Sequence, residues 1–222
     1  PTRAYHGVNP PEAKRTYTAV ILTFDKRMSN RWQLQGSILY SAFKGNTDPG
    51  YSATEGQSGM FDNPNTLINS YGRVSFDRPL QIKLIGSVML PMDIVFTGYF
   101  QHRSGSAWRR TIDRVYFPSS IDTQDTYVGV AAETDGTRRN PPYTMIDIRV
   151  EKSFTFGDFG KLSLYMDAFN LGGRSGYNVN QNPYPRLRTD RDPPTSSNSS
   201  TYADVTSAYG SRSFRIGAKF AF

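Results

Sequence analysis

Ser211-Arg-Ser-Phe-Arg-Ile-Gly-Ala-Lys-Phe-Ala-Phe222 closes the chain and decides its reading. Phe214, Ile216, Ala218, Phe220 and Phe222 fall on one side of an extended strand, and Ser213, Arg215, Gly217, Lys219 and Ala221 on the other, because successive side chains of a strand point to opposite faces. The apolar side runs to the last residue and stops on an aromatic ring. Chain ends are ordinarily polar and frayed. A strand with lipid against one face and a wet lumen against the other carries this pattern instead.

The same segment resembles the C-terminal targeting signal of bacterial outer-membrane β-barrel proteins: polar, any, Gly, any, any, hydrophobic, any, hydrophobic, with a terminal Phe. Arg215, Gly217, Phe220 and Phe222 fill its specified positions in register. The resemblance implies recognition by the barrel-assembly machinery during biogenesis. The competing reading is an ordinary edge strand of a soluble sheet.

Composition points the same way. Hydrophobic residues make up 37% of the 222, yet the chain holds 14 Tyr and 14 Phe. A transmembrane barrel needs only one apolar face per strand and concentrates aromatics at the two interfaces, which reconciles the low and the high value. No run of 18 apolar residues exists, so no transmembrane helix is expected. Cysteine is absent, which removes disulfides, thiolate metal sites and thiol catalysis. The net charge of +7 is scattered without a basic run, so nucleic acid is not an expected partner. Outer-membrane lipid, lipopolysaccharide and a polar lumen all accommodate such an excess. The chain opens at Pro1 without an initiator Met or signal peptide and is expected to start internally, as the C-terminal portion of a longer protein.

Seven segments alternate with period two: about Thr16–Met28, Trp32–Phe43, Leu80–Leu90, Asp93–Arg103, Tyr143–Phe156, Lys161–Leu171 and the C-terminal strand. They suit the nine to eleven residues of a tilted bilayer-crossing strand better than the shorter strands of globular sheets. In the fifth, Ile146, Ile148, Val150, Phe154 and Phe156 oppose Asp147, Arg149, Glu151, Ser153 and Thr155. The polar positions Gln33, Gln35, Lys83, Gln101, Asp147, Arg149, Glu151, Asp167 and Lys219 are expected to face the lumen. Tight links at Ser29–Arg31, Pro91–Met92 and Gly157–Gly160 alternate with long ones at about 44–79, 104–142 and 172–210. Antiparallel strands then collect all short turns at one end and all long loops at the other, as in outer-membrane barrels. The C-terminus is expected on the periplasmic side and the long loops outside the cell. Seven is odd, so strand one is expected to pair with a strand upstream of this chain. The long loops read as turns and coil, rich in Gly, Pro, Asn and Ser.

The resemblance extends beyond the terminal signal. Asp25-Lys-Arg-Met-Ser-Asn-Arg-Trp32, Asn69-Ser-Tyr-Gly-Arg-Val-Ser-Phe-Asp77, Tyr99-Phe-Gln-His-Arg-Ser-Gly105, Ile146-Asp-Ile-Arg-Val-Glu-Lys-Ser-Phe154 and Asp167-Ala-Phe-Asn-Leu171 resemble, in order, motifs of the C-terminal third of TonB-dependent outer-membrane receptors. The chain is most similar to the Oar-like group, which carries a carboxypeptidase-regulatory-like domain. It departs from the last motif at Gly172-Gly173, where the family has Phe-Asn. The resemblance implies the last seven strands of a 22-stranded plugged barrel that takes up a ligand, driven by TonB through an N-terminal region not in this chain. A smaller porin-like or adhesion barrel and a soluble secreted β-sandwich remain alternatives.

No enzyme chemistry is expected. His6 and His102 lack metal-ligand spacing, and no nucleophile elbow or phosphate-binding loop occurs. The acidic pairs Asp122 with Asp125 and Asp190 with Asp192 fall short of a calcium loop, and no cofactor is expected. Arg109, Arg110, Arg138 and Arg139 share one long loop. With Tyr51, Tyr116 and Tyr184 they are the candidate ligand contacts, against the commoner account of solvated loop charge.

Overall fold

The structure is a computed structural model. It describes residues 11–46, 67–116, 127–173, 176–180, 186–188, 195–197 and 200–222. Seven long strands build one antiparallel sheet: β1 (Arg15–Ser29), β2 (Trp32–Gly45), β3 (Leu80–Leu90), β4 (Ile94–Arg103), β5 (Tyr143–Thr155), β6 (Lys161–Phe169) and β7 (Ser213–Ala221). Each pairs with its neighbours in sequence, so the sheet is an up-and-down meander running from β1 to β7. The two outer strands pair on one side only, and the sheet is open. The observed limits differ from the periodicity by at most two residues, and no α-helix occurs among the described residues.

The three short links are hairpin turns, and they fit because their residues take left-handed backbone. Asn30 and Arg31 have φ of 50° and 67°, and Met92 and Asp93 have 64° and 54°. Positive φ at both central positions matches the right-handed twist of the flanking strands. Asp93 therefore belongs to the turn rather than to β4. The third link is a short 3₁₀ turn, Gly157–Phe159, with Gly157 at φ 54°.

Register joins the alternation of single strands into two continuous faces. Trp32, Val88, Phe96, Val150, Met166 and Ile216 lie side by side across six strands. The next row but one on that face runs Phe24, Gly36, Leu84, Phe100, Ile146. A Cβ on Gly36 would collide with the Phe24 ring, so an aromatic covers the glycine across the strands. On the other face Gln33, Ser87, Thr97, Arg149, Asp167 and Arg215 form one row. Ser87 and Thr97 are hydrogen-bonded at 3.0 Å, and Ser153 and Ser163 at 2.9 Å. Ile21, Ile85 and Met89 interrupt the polar face and are exposed.

Burial is inverted relative to a water-soluble domain. The buried hydrophobic residues among those described are Val74, Ala107 and Ala131, none of them in the seven strands. Ser41, Ser153, Ser163 and Asp167, on the polar face, are buried. Ile216 on the apolar face is 83% exposed, whereas Asp167 on the polar face is 2% exposed. Two cations on the apolar face, Lys26 and Lys152, bend to its turn-side margin. Lys26 Nζ donates to the Ser29 and Trp32 carbonyls at 3.0 and 3.1 Å, and Lys152 Nζ donates to the Met92 carbonyl. Their aliphatic stems cover apolar surface while the ammonium groups reach polar backbone.

The long connections are more ordered than their composition suggests. Residues 111–116, 127–131, 186–188 and 195–197 form a small four-stranded sheet, in which Leu187 and Arg188 pair parallel with Val115 and Tyr116. Ala107–Trp108 pairs with Arg138–Arg139, and Tyr177–Val179 with Val205–Ala208. The expectation of coil throughout these loops is corrected accordingly. Turn residues mark where a loop bends and leave short non-local pairings unmarked.

Candidate functional site

All three long connections emerge at the sheet edge opposite the hairpin turns, and their described parts lock together there. Asp77 is 1% exposed and holds the first connection to everything around it. Its carboxylate accepts from the Phe43 backbone N–H at 2.8 Å and from Arg73 at 3.2 and 3.3 Å, and it pairs with Arg139 of the second connection. Arg139 also donates to the carbonyls of Asp77 and Gly105 at 3.1 Å each. The Arg73 N–H donates to the Asp135 carbonyl at 3.0 Å, and the Asp135 N–H to the Asn69 carbonyl at 3.1 Å. The backbones approach so closely that a Cβ on Gly72 would overlap the Asp135 carbonyl.

A second carboxylate organises the interior of the second connection. Glu133 accepts from Arg110 at 2.9 Å and Arg138 at 2.5 Å, and from the Arg110 backbone N–H at 3.0 Å. Burial pushes the Glu133 carboxyl up, but the bonds from Arg138 and Arg110 outweigh it, and the net shift is downward. Arg138 is raised, first by its bond to Glu133. Arg109 pairs with Asp135 at 2.5 Å.

The four arginines singled out in the sequence are therefore each bound to a carboxylate of the loops. Tyr116 ends a strand of the small loop sheet. Tyr51 and Tyr184 lie outside the described residues, as do His6, Asp122, Asp125, Asp190 and Asp192. No group of acidic, histidine or cysteine side chains able to hold a metal occurs among the described residues.

The polar positions of the strands share one face by register. Gln33, Arg149 and Asp167 lie in one row, Gln35 and Asp147 in the next, then Lys83 and Gln101. Glu151 and Lys219 lie toward the turns on the same face. Arg149 grips Asp167 with two bonds, 2.6 and 3.0 Å, and Arg215 adds a third at 2.8 Å. That cluster is a charge-assisted clamp across β5, β6 and β7. On the same face Tyr165 lies over Gly217, whose absent Cβ would stand 2.3 Å from the ring.

Two cations that the sequence did not mark as ligand contacts stand at the junction of the three connections. Arg103 ends β4 on the polar face, directly opposite Tyr143. Its guanidinium packs 4.6 Å from the Tyr143 ring centre and 5.1 Å from that of Tyr209. Arg78, just before β3, borders the same cavity of about 10 Å³, together with Ser106 and Asn140. The only sequence signal for the pair was Arg103 falling on the polar side of its strand. Comparison with protein-family models, with curated proteins and with solved structures finds no match to this chain.

Proposed function

We propose that this chain is part of an outer-membrane β-barrel of the TonB-dependent receptor type. The strands would cross the bilayer, the hairpin turns and Phe222 would face the periplasm, and the interlocked loops would face outward to capture a ligand for uptake. The observation that carries the reading is the inverted burial: apolar rows cross the exposed face of the sheet, and the buried side chains on the strands are polar. From the row of Leu22, Ile38 and Ile82 to that of Phe154, Leu162 and Phe220, six rows two residues apart span roughly 34 Å at about 3.4 Å per residue. A tilt of about 40° lowers this to about 26 Å, close to the apolar belt of outer-membrane barrels. In water such a surface would far exceed the few hundred Å² that soluble monomers expose. The free edges of β1 and β7 would be paired with further strands, since an open edge is not viable in lipid. The 22-stranded plugged architecture and the coupling to TonB rest on the resemblance alone.

Single cysteines test the topology in the protein as expressed in its own cells. Thr134→Cys in the loops should react with a membrane-impermeant thiol reagent on intact cells. Asp158→Cys in a hairpin turn should react only after permeabilisation. Labelling of Asp158→Cys alone on intact cells would reverse the orientation, and recovery of the protein in the soluble fraction would end the reading.

A further inference from the structure

We propose that Arg103 and Arg78 form a receptor site for the carboxylate end of a hydroxy- or amino-carboxylate ligand. The proposal rests on the outward-facing reading of the loops and deepens it by naming a ligand class.

Seven arginines at this end of the sheet fall into two groups. Arg73, Arg109, Arg110, Arg138 and Arg139 each pair with a carboxylate. Arg103 and Arg78 have no carboxylate partner among the described residues. The bonds of the Arg78 guanidinium go to the Ser75 and Asp77 carbonyls, at 3.0 and 3.3 Å. Asp77, the nearest acid in sequence, is already claimed by Arg73 and Arg139. Arg103 is held by the faces of Tyr143 and Tyr209, which stabilise a cation while its N–H fork meets no acceptor among the described residues. Burial, followed by the charge of Arg103, pushes the Arg78 guanidinium below its ordinary range. Two cations that line one cavity without a carboxylate partner among the described residues are a standing electrostatic cost, and an anion between them relieves it.

The geometry narrows the anion. The cavity measures about 10 Å³, room for one water-sized group. A planar carboxylate accepts a bidentate arginine fork in little depth, whereas a tetrahedral phosphate needs more room. Asn140, 6% exposed, lines the same cavity. Its Nδ2 is committed to Ser106 Oγ at 2.6 Å and Asn178 Oδ1 at 3.2 Å, while its buried Oδ1 has no hydrogen-bond partner. A buried acceptor left open costs stability until a donor arrives. A ligand with a hydroxyl or amino group beside its carboxylate supplies that donor. The glycine at 176, with φ of 73°, lets the third connection close over Tyr143 and Tyr209, against which a Cβ would press.

The test uses the full-length protein extracted from outer membranes into detergent, with three probes: lactate, propionate and inorganic phosphate. Binding is read by ¹³C and ³¹P line broadening. Lactate should bind, propionate should bind at least threefold more weakly, and phosphate at least tenfold more weakly. Arg103→Gln and Arg78→Gln should each weaken lactate at least tenfold, while Lys161→Gln, at the hairpin end, should not. Because either arginine variant could disturb the loops, a second measurement needs no variant. In the parent protein, lactate should slow phenylglyoxal modification of Arg103 and Arg78 but not of Arg139. Absence of lactate binding, phosphate binding as tightly as lactate, or no protection of the two arginines would each overturn the site. Propionate equal to lactate would remove Asn140 from it. Failure to find the protein in outer membranes would sink the functional reading instead, and the same probes on the soluble protein would still report the site.

Discussion

The sheet and the loop platform are held together by opposite means. In the sheet, cohesion comes from the backbone ladder, and almost any side chain of the right polarity serves at a given place. In the platform, backbone pairing is short and cohesion is concentrated in two carboxylates, Asp77 and Glu133, each bonded to two arginines. The sheet should therefore tolerate change at most positions and punish a wrong sign of polarity. The platform should tolerate change at most positions and fail at two.

Asp77→Ala gives the largest expected effect. It strands Arg73, Arg139 and the Phe43 N–H around a buried void, and breaking a buried pair by removing one partner costs about 3–5 kcal/mol. Amide exchange should accelerate throughout residues 67–79 and 131–140 while the β5–β6 ladder stays protected. Acceleration of both regions alike would show that sheet and platform are one cooperative unit.

Polarity reversal comes next. Ile148→Arg puts a charge in the apolar row between Gly98 and Ala168 and should cost roughly 2–4 kcal/mol in a bilayer. Arg149→Ile, one residue away, should cost less, because Arg215 remains on Asp167. Urea unfolding from lipid vesicles compares the two. Equal losses would mean that the faces do not meet different media.

Gly217→Ala is a packing test inside the sheet. The new methyl meets the Tyr165 ring, and overpacking of this kind costs about 1–3 kcal/mol. Tyr165→Ala in the same chain should recover most of it. Failure of that rescue would assign the glycine to assembly rather than to packing.

The smallest expected effect is a pH response of the platform alone. The folded-state pKa of Glu133 lies below its ordinary 4.5, so its stabilising contribution is complete above that value and is lost as pH falls through the depressed folded value. Exchange at residues 131–139 should rise on acidification below about 4.5 in the parent, and Glu133→Gln should flatten the response. A response confined to higher pH would point to a different group.

Much of the sheet was legible because its signal is periodic and local. Alternation at 143–156 and 211–222 marks strands without reference to any partner, and hairpin turns need only the two to five residues between them. The loop strands at 111–116 and 186–188 were not legible, since each is short and the pairing that joins their two hairpins spans more than 70 residues. The candidate contacts show the same limit. Four arginines close in sequence drew attention by their density, yet each is neutralised by a carboxylate, whereas Arg78 and Arg103 stand apart in sequence and share a cavity.

The sequence by itself determined the all-β class, the order of seven antiparallel strands, the side on which each strand is apolar and the end at which the long connections gather. Backbone chemistry and period-two side-chain geometry suffice for these. Only the tertiary structure decided which charges are spent. An arginine's availability depends on whether a carboxylate from another connection reaches it, and that is a matter of where loops meet. Asp77 binding Arg139 across 62 residues, and Arg103 resting between Tyr143 and Tyr209, exist only once three separate connections have packed over one edge of the sheet.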